Sequence, residues 1–132
     1  MKILITGGTT FVSRYAAEHF VSKSNEVFVL NRNSRPQSQG VHLINCDRLN
    51  LGNKFADEHF DLILDITAYT DEHIKALLKS GISFDDYIFI SSSAVYPETN
   101  PQPFAENQTC GKNSVWGDYG INKLNAEKYL LD

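Results

Sequence analysis

The sequence predicts an α/β domain built on a doubly wound parallel sheet of strand order 3-2-1-4-5, in three layers α/β/α. Near-continuous apolar strands alternate with amphipathic helical stretches, the pattern of a sheet buried on both faces. The first strand runs straight into a glycine turn, "ITGG" at 5–8, and then into a helix. Connections are short, without internal repeats, and right-handed crossovers between such units favour double winding.

The elements follow in order. Lys2 to Thr6 is an apolar, β-branched strand. A helix is expected from Phe11 to Lys23, with Phe11, Val12, Tyr15, Ala16 and Phe20 on one face, closed by Asn25 where a left-handed residue is usual. "EVFVLN" (26–31) is the second strand, "RNSRPQSQG" (32–40) a polar loop and "VHLINC" (41–46) the third strand. A weak helix is expected over 53–59, before the apolar fourth strand "FDLILDI" (60–66). Thr70 reads as an N-cap, with Asp71 and Glu72 in the first turn, Lys75 and Lys79 later and Gly81 as terminator. "DYIFIS" (86–91) is strand five and "YGINKLNAEKYLL" (119–131) the final helix. Ligands of such sheets bind at the carboxyl ends of the strands, where Gly7, Asn31, Asp47, Thr67 and Ser92 would gather.

Composition narrows the partners. The chain has 132 residues, enough for one domain with a real core, and a formal net charge of -4. That balance argues against nucleic acid or an anionic membrane, because no surplus of cations exists to attract phosphates. Cys46 and Cys110 have no zinc or redox spacing and read as free thiols of a reducing cytoplasm. No apolar run reaches membrane length and no signal peptide precedes the first strand, so a cytoplasmic protein is expected. The four histidines are dispersed, and no metal is expected.

A turn from a strand directly into a helix aims backbone N–H groups and the positive helix end at the space above, where a pyrophosphate fits. Gly7 and Gly8 permit that turn because glycine takes positive φ without penalty. A plain strand–helix turn would look similar, but the end of strand two adds weight. There a carboxylate would accept hydrogen bonds from an adenosine ribose; Asn31 carries no charge, and Arg32 offers a guanidinium suited to a 2′-phosphate. NADP is therefore favoured modestly over NAD. The serines of "SSSAVY" (91–96) end strand five, either as hydroxyl donors or as ordinary polar strand-end residues. Tyr119 and Lys123 stand four apart and share a helical face, and a nearby ammonium stabilises a phenolate for acid–base work. Trp116 reads as a core or rim aromatic, and Glu106 of "PFAE" as a loop anchor.

In this order the motifs "ILITGGTTFVS", "DLILDITAY", "YIFISSSAVYP", "PFAE" and "YGINKLNAEKYL" resemble the extended branch of the short-chain dehydrogenase/reductase superfamily, the NAD(P)-dependent sugar-nucleotide epimerases and dehydratases. The resemblance implies a Rossmann-like cofactor domain over the whole chain, residues 1–132, and a nucleotide-sugar or similar carbonyl/hydroxyl substrate. It casts Ser92 as the catalytic serine, Tyr119 as the acid–base group and Lys123 as the residue that tunes it and holds the nicotinamide ribose. It puts Gly7, Gly8, Thr10, Phe11 and Val12 on the pyrophosphate loop and Asn31 and Arg32 at the ribose. Asp47 and Arg48 fall near adenine, and Ala68 and Tyr69 on the loop flanking the cofactor.

Three departures accompany the resemblance. Thr10 and Ser13 stand where later loop glycines are usual. Ser92-Ser93-Ala94 replaces the Thr-Asp-Glu of 4,6-dehydratases, which favours an epimerase or reductase. The chain also ends at the tyrosine helix, so a missing C-terminal substrate domain, an inactive fragment and an association-prone strand-five edge are expected. The alternative is a catalytically silent dinucleotide-binding regulatory module.

Overall fold

The computed structural model describes all residues 1–132. Five parallel strands form one sheet in the order β3-β2-β1-β4-β5, as the sequence predicts: β1 (Lys2–Thr6), β2 (Glu26–Asn31), β3 (Val41–Asn45), β4 (His59–Asp65) and β5 (Ser83–Phe89). Three helices, α1 (Phe11–Ser22), α2 (Asp71–Leu78) and α3 (Asp118–Leu131), and two short 3-10 turns at Arg48–Asn50 and Ser93–Val95 complete the chain.

The two faces of β1 explain the layering, because alternate side chains of a strand point to opposite sides. Ile3 and Ile5 pack with Val27, Val29 and Ala17 beneath α1. Leu4 packs on the other side with Leu30, Ile63, Phe55, Phe60 and Leu77, below the 48–58 segment and α2. Removing each such side chain from water contributes roughly 1.5–3 kcal/mol, which makes β1 the hub of the core. A third cluster, Ala68, Ile74 and Ala126, joins α2 to α3.

Several local expectations are corrected. No α-helix forms over 53–59; hydrogen-bonded turns lie there, and Leu51 and Phe55 plug the core from irregular backbone. The apolar stripe expected for α1 holds only in part: Ala16 and Phe20 pack on the core, but Phe11 is 91% exposed and Val12 and Tyr15 are also exposed, whereas Ser13 and Ala17 are buried. The helix carries the small side chains Ser13 and Ala17 at its buried positions, while Phe20 and Val21 pack partly buried against the same core. Its left-handed terminator is Ser24 (φ 61), one residue before Asn25, whose N–H and Nδ2 both donate to the Phe20 carbonyl. β3 stops at Asn45, and β5 runs earlier than expected, over 83–89. Thr70 caps α2 by accepting the His73 N–H, and Lys75 pairs with Asp71 at 2.7 Å and Glu72 at 2.8 Å. β5 pairs only with β4 and forms one edge of the sheet, as β3 forms the other. No helix is long and apolar enough to cross a membrane.

Candidate functional site

The carboxyl ends of β1, β2 and β4 open into a cavity of about 440 Å³, lined among others by Gly7, Thr10, Arg32, Asp47, Arg48 and Tyr69. Its floor is the glycine turn. Gly7 and Gly8 have φ of +98 and +95, in the left-handed region that disfavours side chains. A Cβ on Gly7 would lie 2.9 Å from Thr67 Cγ2, and one on Gly8 would lie 2.5 Å from Val29 Cγ1. The following helix starts without a side-chain cap and without an acidic residue in its first turn, so its leading N–H groups and positive end stay uncompensated. Thr10, extended at φ -139, is exposed on the cavity rim; its carbonyl accepts from Ser13 Oγ at 2.8 Å while its own hydroxyl is unbonded. Ser13 is the buried small residue that helix–strand packing requires. Phe11 holds φ 42, a costly conformation for an aromatic residue at the head of the helix.

The end of β2 differs in detail from a simple ribose reader. Asn31 Nδ2 donates to Gly7 O at 2.7 Å and Gln37 Oε1 at 3.0 Å. Its Oδ1 accepts from Asn33 N at 2.8 Å and Gln37 Nε2 at 3.2 Å. Arg32 is exposed and makes no hydrogen bond or ion pair.

Asp47 caps the first 3-10 turn through Leu49 N–H, 2.9 Å from its Oδ1. Arg48 turns inward. Its Nη1 and Nη2 meet Asp65 Oδ1 and Oδ2 at 2.8 Å each, and Nη2 also donates to His73 O at 2.8 Å. Asp65, fully buried at the end of β4, accepts further hydrogen bonds from Thr6 Oγ1 at 2.7 Å and from the Tyr87 hydroxyl. Burial alone would raise its carboxyl, but Arg48, Tyr87 and Thr6 together hold it below the ordinary aspartate range. Burial, followed by the Asp65 charge, pushes the Tyr87 phenol far up. The one mark of this aspartate in the sequence is the charge that closes the apolar run "DLILD".

The second cluster forms around α3. Lys123 is only 2% exposed, and its Nζ donates to Ala68 O at 2.8 Å and Ile90 O at 2.7 Å, joining the loops after β4 and β5. Its ammonium lies 4.6 Å from the Phe89 ring centroid and 5.6 Å from that of Tyr69. Burial lowers its pKa from the ordinary lysine value, with Asp65 opposing. Tyr119 is exposed, its ring 6.3 Å from Tyr69 and 6.1 Å from Trp116, an exposed rim residue. Ser92 caps the second 3-10 turn by accepting Ala94 N–H at 3.1 Å, which leaves its own proton free to donate. Gly120, which carries no motif of its own in the sequence, brings α3 onto that turn: a Cβ there would lie 2.2 Å from Ala94 O. The loop anchor is Glu98, bonded to Ser114; the exposed Glu106 makes no hydrogen bond.

His59, Asp61 and Asp85 bring one potential ligand atom each to within 4.8 Å of one another, a grouping hidden in the linear spacing of the histidines. It sits at the start of β4 and β5, the opposite end of the strands from the glycine turn.

The strand order thus defines a parallel, doubly wound sheet of the Rossmann-like type. No protein-family profile matches the chain. A UDP-glucose 4-epimerase structure superposes with a TM-score of 0.83 at 20% identity, covering 99% of this chain and 46% of that one. WbmG of Bordetella bronchiseptica, solved with NAD and UDP, gives 0.77 at 18% identity, covering 99% and 49%. UDP-N-acetylglucosamine 4-epimerase from Bacillus cereus gives 0.70 at 22%, covering 98% and 49%. Among curated sequences, the chloroplast stem-loop binding protein of 41 kDa b from Arabidopsis thaliana is 25% identical over 132 aligned residues, 86% of this chain and 35% of its own length. The chain therefore has the fold of these UDP-sugar 4-epimerases and of WbmG, and spans about half the length of those structures.

Proposed function

We propose that this chain is the dinucleotide-binding portion of an NAD(P)-dependent oxidoreductase or epimerase acting on a nucleotide sugar or similar hydroxyl/carbonyl substrate. The observation that carries the reading is the pairing of an uncapped glycine turn with the Lys123 clamp at the same sheet edge. The residues fit the cofactor: the backbone at Gly7 and Gly8 leaves no room for side chains, and the α1 N–H groups lack internal partners. Those groups and the Thr10 hydroxyl would hold the pyrophosphate. Lys123 spends two of its three N–H donors on protein carbonyls and keeps one for the nicotinamide ribose. When bound, a nicotinamide dinucleotide supplies the hydride acceptor or donor.

The chain's own residues handle the proton. The Tyr119 hydroxyl moves it on or off the substrate oxygen, and the Ser92 hydroxyl donates to that same oxygen. The Lys123 ammonium, one helical turn beyond Tyr119, is held in place beside the Tyr69 ring. Ser93 and Ala94, where an acid pair would serve water elimination, favour an epimerase or reductase over a dehydratase. The unpaired Arg32 supports NADP. The chloroplast relative's name refers to stem-loop binding; a net charge of -4 gives no support for extending that property to this chain.

Isothermal titration of the chain with NADPH and NADH tests the proposal. Saturable binding of a dinucleotide is expected, lost in Gly8→Ala, whose new methyl would strike Val29. Absence of binding for both cofactors, or binding untouched by Gly8→Ala, would overturn it.

A further inference from the structure

We infer that Gln37 sets the cofactor preference of this site: it saturates the Asn31 amide and leaves the Arg32 guanidinium and the Ser34 hydroxyl at the end of β2 to receive an adenosine 2′-phosphate. The inference rests on the dinucleotide reading above.

A side-chain amide has two N–H donors and one oxygen with two lone pairs. In Asn31 all four are occupied: Gly7 O and Gln37 Oε1 take the donors, while Asn33 N and Gln37 Nε2 fill the oxygen. Gln37 therefore meets Asn31 on both sides. A ribose 2′-hydroxyl needs an acceptor at the end of β2, the task a carboxylate performs in NAD-binding sheets. Asn31 retains no lone pair for it. The polar groups left at this end of the cavity are the Arg32 guanidinium and the Ser34 hydroxyl. The one carboxylate of the lining, Asp47, accepts Leu49 N–H through Oδ1 and follows β3, not β2. A guanidinium and a hydroxyl suit a phosphate dianion.

Gln37 also fixes the loop that carries these donors. Its Nε2 is shared with Asn33 Oδ1 at 3.2 Å and Arg35 O at 3.0 Å, and Asn33 takes the left-handed turn at φ 54. Although 32–36 are exposed, their backbone is tied to the glycine turn through Asn31 and Gly7. Ordering the loop before binding lowers the entropic cost of gripping a phosphate.

Titrations with NADPH, NADH, 2′,5′-ADP and 5′-AMP on the wild-type chain, Gln37→Leu and Gln37→Glu test this. The wild type should prefer NADPH, and 2′,5′-ADP over 5′-AMP, by at least about tenfold, the scale of one charge-assisted contact. Gln37→Leu should reduce that preference by about tenfold, through weaker 2′-phosphate binding with NADH held or improved as Asn31 Oδ1 is released. Gln37→Glu keeps the shape but offers only acceptors, and should swing preference to NADH. A loop-packing role alone would weaken all four ligands alike, and that result overturns the inference. So does a wild type that binds dinucleotides without favouring the 2′-phosphate, which leaves the dinucleotide reading standing. Binding of neither dinucleotide overturns both.

Discussion

Arg48 and Asp65 form a two-point ion pair, with Nη1–Oδ1 and Nη2–Oδ2 both at 2.8 Å. The same carboxylate receives Thr6 from β1 and Tyr87 from β5, and the same guanidinium reaches His73 O on α2. One buried acid thus joins the ends of three strands, the segment after β3 and the α2 helix. Thr6, Arg48 and His73 of that network line the cavity above the glycine turn, so the shape of the cavity depends on a carboxylate buried behind its wall.

Removing Arg48 should be costly. Arg48→Ala leaves a fully buried carboxylate without its counter-charge, a loss of roughly 3–5 kcal/mol. The pH dependence should also change sign. In the wild type the Asp65 pKa is lowered, so its contribution is complete above the unfolded value of about 3.9 and is lost as pH falls through the folded value. In Arg48→Ala, burial without a partner raises that pKa, and stability should rise as pH falls from neutrality towards 5. Thermal melts of both proteins from pH 4 to 8 check this; parallel profiles would contradict it.

Gly120 governs how closely α3 meets the Ser93–Val95 turn. Gly120→Ala sets a methyl 2.2 Å from the Ala94 carbonyl, and a backbone oxygen cannot swing aside as a side chain can. The helix must shift, at a cost of about 1–3 kcal/mol for such overpacking. Dinucleotide affinity should fall far less than with Gly8→Ala, because Gly120 lies outside the glycine turn. Denaturant unfolding and cofactor titration on the two variants separate these effects; equal losses of affinity would refute the assignment.

The strand order and the glycine turn are legible because both are local. Apolar runs, Gly7-Gly8 and the Thr70 cap with its acidic first turn act within a few residues of sequence. The buried face of α1 is not, since Phe11, Val12 and Tyr15 have the helical period but Ser13 and Ala17 have the size that close packing on the sheet demands. Arg48 and Asp65 are 17 residues apart, and their meeting depends on the crossover that carries β4 beside β1. Gln37 looks like any polar loop residue until Asn31 is seen to lack a free lone pair. Lys123 and Tyr119 were recognisable as a pair, but not the carbonyls of Ala68 and Ile90 that hold the lysine in place.

His73 links acidity to the wall of the site. Its Nδ1 accepts the Tyr69 N–H at 3.0 Å, so the neutral ring must carry its proton on Nε2. Burial and then the nearby Arg48 charge lower its pKa from the usual histidine value, against weaker opposition from Asp65 and Asp47. Below about pH 6.5 the unfolded chain takes up a proton that the folded chain refuses, so stability falls from there towards the folded pKa and levels off beneath it. Protonation of Nδ1 also releases Tyr69, whose ring neighbours Tyr119 and lines the cavity. Nitrogen NMR of the imidazole should therefore report the Nε2–H tautomer at neutral pH and a midpoint below 6.5, and His73→Gln should remove the corresponding slope from the stability profile. An Nδ1–H tautomer or a midpoint above 6.5 would mean that Tyr69 is held by something other than this ring.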